Sequence, residues 1–173
     1  MFTTRSSARR VLAVGALLMV SGGCGGETTA PTSATTQTTP QVLLAMQAGL
    51  QDEYRAAAVY ESVLQRYGQV LPFSNIVRAE RQHAASIAAL FTARGMAVPA
   101  LEAPVDVPAF ASVVAACDMG ATAEVENIAL YDRLLAAPLP SDVQRVFEAN
   151  RRASLVNHLP AFERCGPMIV AVR

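Results

Sequence analysis

The residues best suited to chemistry are three glutamates and two histidines that fall on helical faces. Glu80 and His83 are three residues apart, so one face of a helix carries both. Glu53 and Glu124 each precede a tyrosine by the same interval within an apolar stripe, and His158 also falls on an inward face. Because ionised carboxylates are rarely buried without a partner, this set predicts either a bound cation or a paired polar layer.

The pattern matches a metal site that is built inside a helical bundle. Such bundles use one Glu on each of two helices and a Glu-x-x-His on each of the other two. By this register the missing carboxylate belongs at position 155, which is Leu155, and Glu61 is an alternative to Glu53. Iron or manganese suits these ligands, with zinc, copper or a single ion also open. The predicted metal ligands are Glu53, Glu80, His83, Glu124 and His158.

Four amphipathic segments must position these residues. Apolar residues recur with helical spacing, and no sustained alternating segment indicates a strand. Pro160 is expected to bend or end the fourth helix early. The strings VYESVL and LYDRLL echo each other, and each half of the chain has one histidine on its second helix. We therefore predict an all-α fold, an antiparallel four-helix bundle of two helical hairpins. The first two helices are expected over 42–67 and over about 74–94. The third is expected to start at Asp106, with Pro108 in its first turn, and to end at Pro138, and the fourth to start at Ser141.

Two cysteines extend the same faces. Cys117 precedes Glu124 by two helical turns, and Cys165 follows His158 by two turns. On antiparallel helices, going back two turns from Glu124 and forward two turns from His158 leads in the same direction. Cys117 and Cys165 should therefore lie at the same height along the bundle if Glu124 and His158 do. Export would place them in an oxidising compartment, so we predict a Cys117–Cys165 disulfide. Two free thiols, or Cys117 as a softer ligand near the metal, are the alternatives.

The beginning of the chain predicts export. Three arginines precede an apolar run that is too short for an ordinary membrane span, followed by Ser21-Gly22-Gly23 and Cys24. The Gly-Cys ending resembles a bacterial lipoprotein processing site, so we expect lipidation of Cys24 and anchoring at the cell envelope. Plain secretion, or a periplasmic location, is the alternative. The predicted organisation is a signal peptide over 1–23, a disordered Thr/Pro/Ser-rich tether over 24–41, a bundle over 42–166 and a tail over 167–173.

Several stretches resemble a bacterial family of the ferritin-like superfamily, domain of unknown function 2202. They are LQDEYRAAAVYESVLQRYG, PFSNIVRAERQH, AEVENIALYDRLL and NHLPAFERC, and the resemblance covers about residues 42–165. It implies a ferritin-like bundle. The wider superfamily binds two metals and handles iron, oxygen or peroxide, so an enzyme here would be a metal-dependent oxidoreductase. The resemblance maps the metals onto the five residues above, and Leu155 departs from the pattern.

Other classes of function have little support. The formal net charge is zero and 6% of residues are aromatic, so no nucleic-acid partner is expected. The chain has no Gly-rich phosphate loop and no nucleophile motif with a base. Two functions remain: a metal-binding redox protein of the envelope, or a metal-free helical module for structure or interaction there. Protein partners are not indicated by the sequence.

Overall fold

The computed structural model describes residues 38–171, with side chains described as far as residue 165. The described part is entirely helical and contains no strand, so the all-α prediction is confirmed. The predicted signal peptide, Cys24 and most of the predicted tether lie outside these residues. Successive elements are α1 (Pro40–Tyr67), α2 (Phe73–Ala93), α3 (Val113–Leu135), α4 (Ser141–Ala153), a π-helical turn (Ser154–His158) and α5 (Leu159–Ala171).

Local signals explain where the helices begin and end. The Thr39 hydroxyl accepts a hydrogen bond from the Val42 amide, so α1 begins at Pro40 and takes in the last two residues assigned to the tether. Gly68 ends α1 at a φ of 78°, which favours glycine. The Ser112 hydroxyl caps α3 in the same way as Thr39 caps α1. The prediction that α3 starts near Asp106 is therefore wrong, because the effective capping side chain lies farther along the chain.

The last helix does not end at Pro160. Proline has no amide hydrogen, so it cannot donate to the carbonyl four residues earlier. Just before it, the Leu159 amide bonds the Ser154 carbonyl, five residues back, which makes a π turn. The helix then continues to Ala171, within the predicted tail. The expectation of an early end is thus wrong, because the chain accommodates Pro160 by widening one turn.

Helices α1, α2 and α3 each carry a buried glutamate of the site between two apolar groups. One buried apolar cluster contains Met46, Leu50 and Ile87, and the other contains Tyr60, Phe73 and Phe162. In α1, Glu53 falls between the residues of these two clusters, and α2 and α3 repeat the arrangement. The polar layer is thereby sealed from both directions along the helices.

Packing follows the chain order. Helix α1 packs against α2, and α3 packs against α4, the π turn and α5. The connections at 68–72 and 136–140 are short, whereas the one at 94–112 is long. Gly120 permits a close approach of α3 to α5, since a Cβ there would lie 2.7 Å from the Phe162 ring. None of the described helices combines the length and apolar character that crossing a bilayer requires.

Candidate metal centre

A first cluster joins Glu53 of α1 to two residues of α2. The His83 Nδ1 atom lies 3.3 Å from Glu53 Oε2 and 3.0 Å from Glu80 Oε2. Both carboxylates are fully buried, while His83 keeps a small exposed edge. Their possible ligand atoms all lie within 4.8 Å of one another, so this group could hold a metal ion.

A second cluster joins Glu80 to Glu124 of α3 and to His158 at the end of the π turn. The His158 Nδ1 atom lies 3.0 Å from Glu80 Oε1 and 3.4 Å from Glu124 Oε2. All three residues are buried, and their ligand atoms also fall within 4.8 Å. These three atoms form ion pairs with one another, but none makes a hydrogen bond of good geometry within the described residues. Buried polar atoms usually make such hydrogen bonds, so the convergence of three makes this point a candidate ligand site.

Glu80 unites the two clusters into one site. One of its oxygens faces His83 and the other faces His158, and the two imidazole rings stack with centroids 5.4 Å apart. All five residues expected from the sequence therefore meet in one polar layer. Glu61 does not take part, because it is partly exposed and forms a 2.6 Å ion pair with Arg81.

Two tyrosines hold the outer carboxylates in a crossed arrangement. The Tyr60 hydroxyl of α1 donates to Glu124 Oε1 of α3 at 2.8 Å. The Tyr131 hydroxyl of α3 donates back to Glu53 Oε1 of α1. Each tyrosine thus fixes the glutamate of the other half, which leaves the second carboxylate oxygen directed at the site.

Two asparagines support the site and were missed in the sequence. Asn150 donates to the Tyr131 hydroxyl at 3.1 Å. Asn127 accepts from Ser154 and donates to Asp52 at 2.8 Å. Asn127 follows Glu124 by three residues, so its shared helix face was the signal that could have identified it.

The position assigned to the missing carboxylate was wrong. Leu155 is 41% exposed, whereas Ser154 is buried. In α2 the inward residues Glu80 and His83 are three positions apart. The π turn instead places the inward residues Ser154 and His158 four positions apart. Ser154 is therefore the inward counterpart of Glu80. Pro160 was the available sequence signal, since its missing donor favours a widened turn.

Burial and mutual contact set the protonation of the metal-free site. Burial raises the pKa of Glu53 to about 7. Burial would lower the histidine pKa values, but contacts with the facing carboxylates outweigh it and raise the pKa of His83 to about 10 and of His158 to about 9. The pKa of Glu80 falls despite burial, because both histidines favour its charged form. Both imidazoles therefore carry protons near neutral pH when no metal is bound.

Burial also raises the pKa of both tyrosine hydroxyls well above the usual value of 10. The charges of Glu124 and Glu53 add to this effect at Tyr60 and Tyr131 respectively. Both phenols thus remain protonated, and they act as donors to the carboxylates.

The spacing of the ligand atoms is compatible with a bound metal ion. Two ligands about 2.1 Å from one ion are separated by about 3.0 Å at a right angle and by about 3.4 Å at a tetrahedral angle. The four histidine–carboxylate separations in the site run from 3.0 to 3.4 Å, which is also the range of direct ion pairs between these side chains.

A disulfide joins Cys117 of α3 to Cys165 of α5, with Cα atoms 6.0 Å apart. Both residues are buried. Because α5 follows the π turn that carries His158, the bridge ties the last helix to the helix that carries Glu124. The widened turn does not swing Cys165 away from α3.

Comparison with protein-family models, curated proteins and solved structures found no match to this chain.

Proposed function

We propose that this chain is an exported ferritin-like four-helix protein that binds one or two transition-metal ions, iron or manganese first, in its core. One observation carries the proposal: the buried atoms Glu80 Oε1, Glu124 Oε2 and His158 Nδ1, none with a hydrogen bond of good geometry, converge from α2, α3 and the π turn. A cation would accept all three lone pairs. The two short hairpins and the crossed tyrosine–glutamate pairs support the ferritin-like arrangement.

A metal-free structural or interaction module is the second candidate, and one observation favours it. Protonated His83 and His158 offset much of the charge of the three glutamates, so the core is nearly balanced without metal. Buried charges are tolerated when they are paired in this way. Such pairing still leaves Glu80 Oε1, Glu124 Oε2 and His158 Nδ1 without hydrogen bonds of good geometry, and for this reason we favour metal.

The protein's own residues define what the site can do. Glu53, Glu80 and His83 would hold one ion, and Glu80, Glu124 and His158 would hold another. Bound iron or manganese would supply one-electron chemistry, which suits metal or redox handling at the envelope, including ferroxidase-like or peroxide-handling oxidoreductase activity. Tyr60 and Tyr131 orient the carboxylates, and the apolar clusters flank the site in both directions along the helices.

The cellular location is part of the proposal. A lipid anchor on Cys24 would hold the protein to a membrane of the cell envelope. Cells fed a fatty-acid probe should label the protein, and Cys24→Ser should abolish the label. Unlabelled protein released into the medium would instead indicate plain secretion.

Elemental analysis of protein purified without chelator tests metal binding. We expect iron or manganese, with zinc or copper as the other outcomes, at one or two ions per chain. Glu124→Gln keeps the shape of the side chain but removes an anionic ligand, so it should weaken binding. Glu61→Gln removes a carboxylate outside the site and should leave binding unchanged. Absence of metal, or equal effects of the two substitutions, would support the metal-free module.

A further inference from the structure

A cavity of about 380 Å³ lies between α1, α3 and the 94–112 connection. Its lining includes Glu80 and Glu124, two of the three residues of the second cluster, whereas Glu53 and His83 do not line it. Glu80 Oε1 and Glu124 Oε2, which face His158 Nδ1, belong to the same two side chains. The cavity therefore connects one side of the protein with the second cluster.

The lining of this cavity is acidic. Asp106 of the connection and Glu126 of α3 are both exposed, and neither forms an ion pair among the described residues. Among the described residues that line the cavity, Arg55 is the only basic one, and Asp52 already pairs with it at 2.7 Å. Clefts lined by one sign of charge concentrate oppositely charged ions and accelerate their association.

The roof of the cavity is held in place at both ends. The Gln51 side chain donates to the Ala100 carbonyl at 2.8 Å and accepts from the Glu102 amide at 2.9 Å. Farther along, the Tyr67 hydroxyl donates to the Phe110 carbonyl at 2.6 Å. Between these anchors the connection contributes Pro104, Asp106 and their neighbours to the lining. The cavity is thus a feature built by specific hydrogen bonds.

We infer that this cavity is the route by which a divalent transition-metal cation reaches the site, and that Glu80 and Glu124 meet the ion first. The inference rests on the proposed function and assigns its access path. The described groups with ligand spacing are the two core clusters, so Asp106 and Glu126 do not form a binding site of their own. Their role is to attract the cation electrostatically.

Stopped-flow absorption of Co²⁺ binding to the metal-free full chain tests the route. The paired substitution Asp106→Asn with Glu126→Gln should slow association on the order of tenfold at low ionic strength and flatten its salt dependence. The control pair Glu148→Gln with Glu163→Gln removes the same charge from residues that do not line the cavity. That pair should leave the association rate close to that of the unaltered protein.

A steric variant supplies an independent measurement. Ala123→Leu places a larger side chain in the lining and should slow both binding and release of Co²⁺, with the bound stoichiometry unchanged. Ala129→Leu, on the same helix but outside this lining, is its control. If Co²⁺ binds and neither cavity variant differs from its control, the route is wrong and the metal site stands. If the unaltered chain binds none of Co²⁺, Mn²⁺, Fe²⁺, Zn²⁺ and Cu²⁺, both proposals fall.

Discussion

The hydroxyl of Tyr60 provides a sensitive test of the metal centre. Tyr60→Phe removes the donor to Glu124 Oε1 and keeps the ring, which packs 5.1 Å from Phe162 and 5.8 Å from Phe73 between centroids. The substitution therefore changes hydrogen bonding with little change in packing. Glu124 Oε2 makes no hydrogen bond of good geometry and lies 3.4 Å from His158 Nδ1, so the variant would leave the buried carboxylate with that ion pair alone.

The expected magnitudes follow from that loss. A hydrogen bond to a charged group contributes about 1.5–3 kcal/mol to the free energy of unfolding. For a domain of this size, that corresponds to a fall in Tm of about 5–15 °C in the metal-free protein. Residues that orient a metal ligand usually affect affinity by about 10–100-fold, so Kd for the metal should rise by a factor in that range.

Thermal unfolding with and without metal, together with isothermal titration calorimetry, measures both effects. Tyr54→Phe is the matched control, because the Tyr54 hydroxyl makes no hydrogen bond within the described residues and the residue lies next to Glu53 in α1. If the Tyr60 and Tyr54 variants have the same Tm and the same metal affinity, the hydroxyl does not support the site and the reasoning is refuted.

Three other predictions address protonation, register and the disulfide. In the metal-free protein, the raised pKa values of His83 and His158 stabilise the fold fully below their unfolded value of 6.5, and this is lost as pH rises through about 9 and 10. Urea stability should thus fall between pH 7 and 10, and a rise over that range would contradict the assignment. Leu155→Glu should add no metal ligand, because residue 155 is exposed. An increase in metal content, measured by elemental analysis, would instead support the regular α-helical register that turns residue 155 inward. Cys117→Ser with Cys165→Ser opens a bridge across 48 residues and should reduce the free energy of unfolding by about 4 kcal/mol in urea titrations; a loss below about 1 kcal/mol would show that the bridge contributes little.

Short-range patterns in the sequence were sufficient to predict the helical class and the five residues that meet in the polar layer. The spacing of Glu80 and His83, and the equal intervals from Glu53 and Glu124 to their tyrosines, follow from helical periodicity, which adjacent residues along one helix determine. The same regularity predicted that Cys117 and Cys165 lie level. These inferences needed only the helix repeat and the antiparallel order of neighbouring helices.

Tertiary structure decided the register around His158 and the cover of the cavity. Pro160 shows only that one donor is missing, and a kink, an end or a π turn would each satisfy that local constraint. In the folded chain the π turn keeps both Ser154 and His158 inward, while Phe162 packs against Gly120 and Cys165 reaches Cys117. The choice depends on contacts with α3, which are distant in sequence from the turn itself. The start of α3 at Val113 also depends on contacts that are distant in sequence. Gln51 and Tyr67 of α1 hydrogen-bond to the connection that precedes α3, and these bonds hold that segment outside a helix.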